Sequence, residues 1–262
     1  MSNIAIANNE TADQVIAAVR EAGEKMLAPD AVCGVRVKGR SDFVTNVDMA
    51  VQEFLRSRLN GLLPGVQFMS EEADNSSLDP ARPFWILDPV DGTTNLIHRC
   101  RHSAVSLALA EAGQILFGVV YNPYSGECFT ARRGEGAFCC GRPIRVSRTA
   151  GLSDALIAAG TLPGCRDPEK DAFGLMRALY CACRDIRLTG CSSLDLCWVA
   201  SGRLDGCAEP VLKPWDYAAG ALIIAEAGGQ ITALDGGPLS LTQGGGVLAS
   251  NGLLHTALQS KL

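Results

Sequence analysis

The sequence predicts an α+β first half and an α/β second half that share one cleft. Three observations support this fold class. Helical and strand-like patterns follow one another before His102, and a series of short strand-like runs separated by turn signals comes after it. Beyond Pro143, strand and helix patterns alternate again. We therefore predict an N-terminal α+β half over residues 1–142 and a C-terminal α/β half over residues 143–262.

The first half begins with two predicted helices and two predicted buried strands. The helices are expected over residues 11–27 and 47–63, where apolar residues repeat with helical spacing. Pro64 and the glycine after it end the second helix. Short apolar runs at residues 66–69 and 84–87 predict the two strands.

Three further strand-like runs predict an antiparallel meander, at residues 104–109, 116–121 and 127–131. Turn signals containing Gly or Pro separate these runs, as expected for hairpin connections.

The second half is predicted to alternate between strands and helices. The expected strands lie at residues 154–159 and 203–209. The expected helices lie at residues 169–183, 194–200 and 216–227. The last of these helices is apolar on nearly every side, which predicts a deeply buried position.

The composition excludes several classes of protein. Of the 262 residues, 47% are hydrophobic and 19% are charged, so the chain is neither disordered nor fibrous. A formal net charge of −5 gives no general attraction for nucleic acid or anionic membranes. A phosphate substrate would therefore need local positive charge, which a bound cation would supply.

The eleven cysteines are scattered and show no C-x-x-C spacing. We interpret them as reduced, mostly packing residues of a cytoplasmic protein. The first ten residues are polar and do not resemble a signal peptide, and no apolar run is long enough to span a bilayer.

An acidic motif, Asp-Pro-Val-Asp-Gly-Thr-Thr-Asn at residues 88–95, directly follows an apolar strand-like run. A strand that ends in Asp88 and Asp91 places carboxylates at the edge of a sheet, where ligands usually bind. Gly92 permits a sharp turn, and Thr93 suits a helix start whose N–H groups can hold a phosphate. An isolated Asp-Gly is usually only a turn, so the motif gains weight from the other acids.

Other carboxylates stand at the ends of predicted elements: Glu71 and Glu72 after a strand, and Asp48 and Asp216 at helix starts. Converging carboxylates cannot stay ionised together without a cation. Oxygen-only ligands select a hard metal, Mg²⁺ first, with Ca²⁺ and Mn²⁺ as competitors. The three histidines show no zinc-ligand spacing, and neither a P-loop nor a serine elbow is present.

These motifs resemble the inositol monophosphatase family of metal-dependent phosphatases. The matching segments are residues 44–48, 70–72 and 88–95, Gly190, Trp215-Asp216 and residues 226–229. They follow one another in the family's order along the whole chain. The resemblance implies a five-layered αβαβα sandwich of the sugar-phosphatase type, a homodimer, and Mg²⁺ as the cofactor.

The resemblance also assigns roles to individual residues. The metal ligands are implied to be Glu71, Asp88, the Val90 carbonyl, Asp91 and Asp216, with Asp88 shared between two ions. The catalytic set is implied to comprise Glu71, Thr93, Asp48 and Thr45, in which Asp48 holds Thr93 and the attacking water is oriented by Thr93 and Glu71. The substrate contacts are implied to be Gly92, Thr93, Cys191, Ser192 and Glu209.

Some positions depart from the family's usual pattern. Ser70 replaces a glycine, Arg99 follows His98 where the family often has glycine, and residues 191–193 read Cys-Ser-Ser. The metal-ligand positions are unchanged, whereas residues 191–193 include two of the implied substrate contacts.

The resemblance leaves the substrate open. We expect a phosphomonoesterase that acts on inositol monophosphate or a similar small polyol phosphate by metal-activated water. Fructose-1,6-bisphosphatase or histidinol-phosphatase activity is an alternative, although Thr94-Asn95 favours the inositol branch. A regulatory protein that binds partners on the same fold is a further alternative. No membrane partner is expected, and nucleic acid is disfavoured.

Overall fold

The structure is a computed structural model that describes residues 9–28, 36–39, 42–161 and 172–262. Within these ranges, none of the helices has the length and apolar character that crossing a membrane requires.

Two helices form one outer face of the molecule. Helix α1 spans Asn9–Gly23 and continues into a 3₁₀ turn at Glu24–Leu27. After a short antiparallel hairpin, β1 (Arg36–Gly39) and β2 (Asp42–Val44), helix α2 spans Asn46–Leu62. Apolar side chains of α1 and α2 pack together against the first sheet, as their periodicity predicts.

The first sheet has seven strands in the order of the chain. The strands are β3 (Gln67–Ser70), β4 (Phe84–Asp91), β5 (Ala104–Glu111), β6 (Gln114–Asn122), β7 (Glu127–Arg132), β8 (Ala137–Cys139) and β9 (Arg142–Pro143). A short helix, α3 (Thr93–Ile97), follows β4. Only the β3–β4 pair is parallel among the described neighbours of this sheet, so the predicted antiparallel meander is confirmed.

The second sheet has five strands in the order β11-β10-β12-β14-β13. These strands are β10 (Leu156–Ala159), β11 (Asp185–Arg187), β12 (Gly206–Leu212), β13 (Gln230–Ala233) and β14 (Gly245–Ser250). The helices of this half are α4 (Ala172–Ala182), α5 (Ser192–Ala200), α6 (Pro214–Glu226) and α7 (His255–Gln259).

The layers form an αβαβα sandwich, which confirms the expected fold. Helices α5 and α6 lie between the two sheets, and the central apolar core includes side chains from both sheets. Helix α6 is buried along nearly its whole length, as its apolar composition predicts. Helices α4 and α7 pack on the outer face of the second sheet.

Two predicted boundaries differ from the structure, and a third cannot be compared with it. The strand expected at residues 203–209 runs instead through Pro210 to Leu212, because the pairing with β14 is irregular between Glu209 and Leu212 and so accommodates a proline. Strand β4 extends beyond Leu87 to include both aspartates. The predicted start of the helix at residues 169–183 lies outside the described residues.

Candidate active site

A cleft of about 430 Å³ opens where the carboxyl end of β4 meets the helices between the sheets. Both halves of the chain contribute to it. Its lining consists of Glu71, Asp91, Gly92, Thr93, Thr94, Asn95, Ala159, Gly160, Thr161, Leu188, Thr189, Gly190, Ser192, Glu209, Val211, Leu212 and Asp216.

Strand β4 carries two of the predicted metal ligands, Asp88 and Asp91. The strand is buried along its length, and its pairing with β5 becomes irregular between the two aspartates. Such an irregularity redirects side chains near a site. The Val90 N–H donates to Asp88 Oδ1 at 2.9 Å, which fixes the carboxylate in place.

Gly92 ends β4 and begins α3 in a left-handed conformation, with φ of 83°. A Cβ at this position would lie 3.1 Å from the carbonyl oxygens of both Gly190 and His102. Backbone atoms cannot move aside as a flexible side chain can, so only glycine fits this turn.

The Thr93 hydroxyl donates to the Val90 carbonyl at 2.9 Å. The expectation that Asp48 holds Thr93 directly is therefore wrong for this structure. The Asp48 carboxylate instead accepts from the backbone N–H and the hydroxyl of Thr45, at 2.8 and 2.5 Å, as a capping box at the start of α2. This short-range bonding satisfies only Oδ2, because the buried Oδ1 of Asp48 has no hydrogen-bond partner among the described atoms. Burial nevertheless raises the pKa of Asp48 to about 6.

Asp91 is anchored from the second half of the chain. Its Oδ2 accepts from the Ser193 backbone N–H at 2.6 Å and from the Cys191 thiol at 3.1 Å. Cys191 is only 1% exposed and does not line the cleft. Its implied role as a substrate contact is therefore corrected. The thiol contacts Asp91, whereas Ser192 lines the cleft.

The other two predicted carboxylate ligands arrive from separate elements. Glu71 directly follows β3, which lies parallel to β4, so both strands present acids at the same edge. Asp216 lies in the first turn of α6, where its Oδ2 accepts from the Lys213 backbone N–H at 2.6 Å.

The charges of these carboxylates act on one another. Burial raises the pKa of Asp88 well above its ordinary value, and neighbouring carboxylates raise it further, first Glu71 and then Asp91 and Asp216. Burial, together with Asp91, raises the pKa of Asp216 to about 7. Buried acids of this kind ionise fully only when a cation compensates them.

The donor chemistry fits a hard cation. The predicted ligands offer carboxylate oxygens and the Val90 carbonyl, whose second lone pair is left available by the Thr93 hydrogen bond. Among the described residues, however, no three of these carboxylates bring oxygens within 4.8 Å of one another. Their joint ligation of ions accordingly stays a prediction.

Glu209 also lines the cleft, from the middle of β12, and is 5% exposed. Its carboxylate occupies the space beside Gly160, where an added Cβ would lie 1.5 Å from a carboxylate oxygen. Burial raises the pKa of Glu209, and the nearby Asp195 raises it further. Asp91 and Asp216 also raise the pKa of Glu209, so its carboxylate shares the cleft with the predicted metal ligands.

Sequence reasoning missed Asn95 and Asp195. The Asn95 amide donates to the carbonyls of His102 and Thr189, both at 2.8 Å, and so joins loops from the two halves. Asn95 stood inside the acidic motif, but nothing in the sequence indicated its distant acceptor. Asp195 had no detectable signal, because one acid in a short helix usually faces solvent.

Comparisons with known proteins agree with this architecture. A model of the inositol monophosphatase family matches residues 1–262. An inositol-1-monophosphatase from Mesorhizobium japonicum is 38% identical over 224 residues, which cover 86% of this chain and 84% of the relative. The Nus factor SuhB of Escherichia coli is 37% identical over 237 residues, which cover 90% of this chain and 86% of that protein. A solved IMPase structure from Thermotoga maritima has a TM-score of 0.85 and 29% identity, with 96% of each chain covered.

The layered fold and the carboxylate-lined cleft define a phosphatase of the sugar-phosphatase fold. The chain belongs to the inositol monophosphatase family.

Proposed function

We propose that this protein is a Mg²⁺-dependent phosphomonoesterase that hydrolyses inositol monophosphate or a similar small polyol phosphate. The observation that supports it most is the group of acids around Asp88, since Asp91 on the same strand, Glu71 after β3 and Asp216 on α6 all raise its pKa. Four acids gathered at a cleft are costly to keep ionised without a divalent cation. Membership of the family supports phosphate ester chemistry in particular.

The proposed metal ligands are Glu71, Asp88, the Val90 carbonyl, Asp91 and Asp216. Bound Mg²⁺ would lower the pKa of a coordinated water and stabilise the leaving oxygen. The protein contributes the shape of the site. Asp91 is oriented by the Ser193 N–H, and Asp216 by the Lys213 N–H.

Thr93 and Glu71 are the proposed groups that orient the attacking water. The Thr93 hydroxyl already donates its single hydrogen to Val90, so toward water it can act only as an acceptor. Glu71 lines the cleft and can accept the proton that the water loses. Thr45 and Asp48 act indirectly in this scheme, because their mutual hydrogen bonds fix the start of α2 beside the site.

Phosphate and polyol occupy opposite ends of the proposed site. The backbone N–H groups of Gly92 and Thr93 begin α3, where intrahelical partners are absent by geometry, and suit a phosphate oxygen. Ser192 and Glu209 also line the cleft and suit sugar hydroxyls. The two ends together favour a small phosphorylated polyol over a nucleic acid.

A phosphate-release screen tests this proposal. The purified protein would be assayed with inositol 1-phosphate, fructose 1,6-bisphosphate, histidinol phosphate and an adenosine 3′-phosphate nucleotide, each with Mg²⁺ and with excess chelator. We expect Mg²⁺-dependent release that is greatest for inositol 1-phosphate. Turnover that persists in excess chelator would contradict the metal mechanism. Preference for another substrate would assign the protein to the branch of similar phosphatases that acts on that substrate.

A regulatory role is the second candidate, because one relative is named a Nus factor. The complete set of predicted ligands favours catalysis, since a purely binding role has no need of it. The two functions can coexist, so they need separate readouts. A chain that releases no phosphate from any of the four substrates, yet folds normally, would favour the regulatory candidate.

A further inference from the structure

Three buried side chains that are not among the predicted metal ligands lie close together beside the cleft. They are Asp195 on α5 and Cys207 and Glu209 on β12, with exposures of 1%, 0% and 5%. A carboxylate oxygen of each acid and the Cys207 sulfur all lie within 4.8 Å of one another. We call this group the Asp-Cys-Glu cluster. It is the only such group among the residues that the structure describes.

The fold creates the cluster in a simple way. Residues two apart in a strand point to the same face, so Cys207 and Glu209 project together from β12. Helix α5 packs against β12 and brings Asp195 over that face. Glu209 also lines the cleft, so the cluster borders the cleft through this one residue.

The hydrogen bonding of the cluster is incomplete. Asp195 Oδ2 accepts from the Thr189 hydroxyl at 2.8 Å, but Oδ1 is buried and has no hydrogen-bond partner among the described atoms. Leaving such an oxygen unsatisfied is costly, and more so beside a second acid. Burial also raises the pKa of Asp195 to about 7 and that of the Cys207 thiol well above its usual range. The unpartnered Asp195 oxygen and the second acid beside it therefore favour a positive partner.

We propose that the Asp-Cys-Glu cluster is a second cation site, specific for a thiophilic divalent ion such as Zn²⁺. One thiolate and two carboxylates form a donor set that suits zinc, whereas Mg²⁺ takes oxygen ligands only. The site shares no ligand with the predicted Mg²⁺ centre. When the ion binds, the Cys207 thiol proton is released to solvent as the metal–sulfur bond forms.

The distances allow this coordination after small movements. Zinc lies about 2.3 Å from sulfur and about 2.0–2.2 Å from carboxylate oxygen, so tetrahedral ligands are roughly 3.4–3.6 Å apart. Side chains now within 4.8 Å of one another must close by little more than 1 Å. A fourth position would face the cleft.

Occupancy would affect catalysis, and this consequence rests on the proposed function. Glu209 is the proposed contact for the polyol hydroxyls. An ion that binds Glu209 withdraws its carboxylate from the substrate, so Zn²⁺ should raise KM for inositol phosphate while excess Mg²⁺ is present.

Cobalt absorption tests the site without any activity measurement. Co²⁺ is added to the reduced protein in excess Mg²⁺, and thiolate-to-cobalt absorption is followed in the near ultraviolet. We expect one saturable ion. The absorption should be lost in Cys207→Ala and kept in Cys197→Ala, a matched control since both cysteines are fully buried. Cys191→Ala should also keep it, which separates this cluster from the thiol beside Asp91.

Asp195→Asn provides a second variant that nearly preserves shape, should Cys207→Ala fold poorly. We expect it to weaken Co²⁺ binding by at least about tenfold, the lower range of losses when a metal's support is altered. Absence of thiolate absorption in the wild type, or absorption that survives Cys207→Ala, would overturn the proposal. Failure of the phosphatase assay would leave this spectroscopic result unaffected.

Discussion

At the scale of single residues, Asp88 is the centre of the acidic group. It is 2% exposed, its Oδ1 is fixed by the Val90 N–H, and the surrounding carboxylates all raise its pKa. It is also the one side chain assigned to both proposed ions. The chemistry of the site should therefore depend on Asp88 more than on any residue that only orients it.

We expect Asp88→Asn to lower kcat by at least about a hundredfold, the size of loss seen when one preorganised electrostatic group is removed. The amide keeps the shape of the carboxylate, so the fold should persist. Mg²⁺-dependent phosphate release and the melting temperature in chelator would both be measured. A near-normal rate with unchanged Mg²⁺ dependence would show that Asp88 is not a metal ligand.

Glu209 should influence substrate choice more than the rate of the chemical step. We expect Glu209→Gln to raise KM for inositol phosphate with a smaller change in kcat, because a hydroxyl contact is lost equally in the ground and transition states. The neutral amide also no longer repels a second phosphate, so activity on a bisphosphate should improve relative to the monophosphate. Steady-state kinetics on both substrates decide this, and unchanged KM values would exclude Glu209 from substrate binding.

At the scale of elements, the turn between β4 and α3 positions the proposed phosphate contacts. Gly92 and Gly65 offer a matched comparison, since both are left-handed, with φ of 83° and 82°. Around Gly65 no atom lies within 4 Å of an added Cβ, whereas around Gly92 two carbonyl oxygens lie at 3.1 Å. A side chain at either position would therefore strain the backbone, but only at Gly92 would it also clash with neighbouring atoms.

We expect Gly65→Ala to destabilise the protein by roughly 1–2 kcal/mol, the cost of a left-handed residue with a Cβ. Gly92→Ala should cost more and should also reduce activity, because the turn must shift away from Gly190 and His102. Chemical denaturation and phosphate release would be compared for the two variants. Equal losses of stability with equal activity would show that the turn has no special role.

The sequence was informative about elements whose signals are local. The apolar run before Asp88 located β4, and the helical periodicity of α1 and α2 located the helices that cover it. Pro210 misled the prediction of β12, because an irregularity in pairing lets a strand pass through proline. Contacts between distant segments, such as Asn95 with Thr189 and Asp195 with Glu209, have no local signal and could not be predicted.

At the scale of the whole molecule, the buried acids link stability to pH and to cations. Raised carboxyl pKa values, about 6 for Asp48 and about 7 for Asp195, mean that the folded state binds more protons than the unfolded state. Stability from these groups is therefore present below their unfolded pKa near 4 and is lost as pH rises through about 6 to 7.

We expect the melting temperature of the metal-free protein to fall between pH 5 and pH 8, and Mg²⁺ to restore more of it at pH 8. A change of 1 kcal/mol corresponds to roughly 2–4 °C in a chain of this size, and ligand at a hundredfold excess over its Kd contributes about 2.7 kcal/mol. Calorimetry at several pH values, with chelator or Mg²⁺, would measure both effects. A rise in melting temperature with Mg²⁺ that is the same at every pH would contradict the proposed coupling between the buried acids and cation binding.

We also propose that the protein forms a homodimer, with α4 as part of the interface. Phe173 and Tyr180 lie on one face of α4, seven residues apart, and are 74% and 61% exposed. Sedimentation should show a dimer that Phe173→Asp weakens. Leu253→Asp serves as the control, since Leu253 is 62% exposed on a loop before α7. A wild-type monomer at micromolar concentration would contradict the proposal.

Helix α6 has a further consequence for how the molecule comes apart. It belongs to the second half of the chain but packs on the first sheet, so Asp216 at its start faces the acids of β4. An ion bound between them would tie α6 to the first sheet, and a chelator would remove that link. Proteases should then cut the chelated protein sooner than the Mg²⁺-loaded protein, at bonds remote from the cleft, because separating α6 from the first sheet exposes the apolar faces of both.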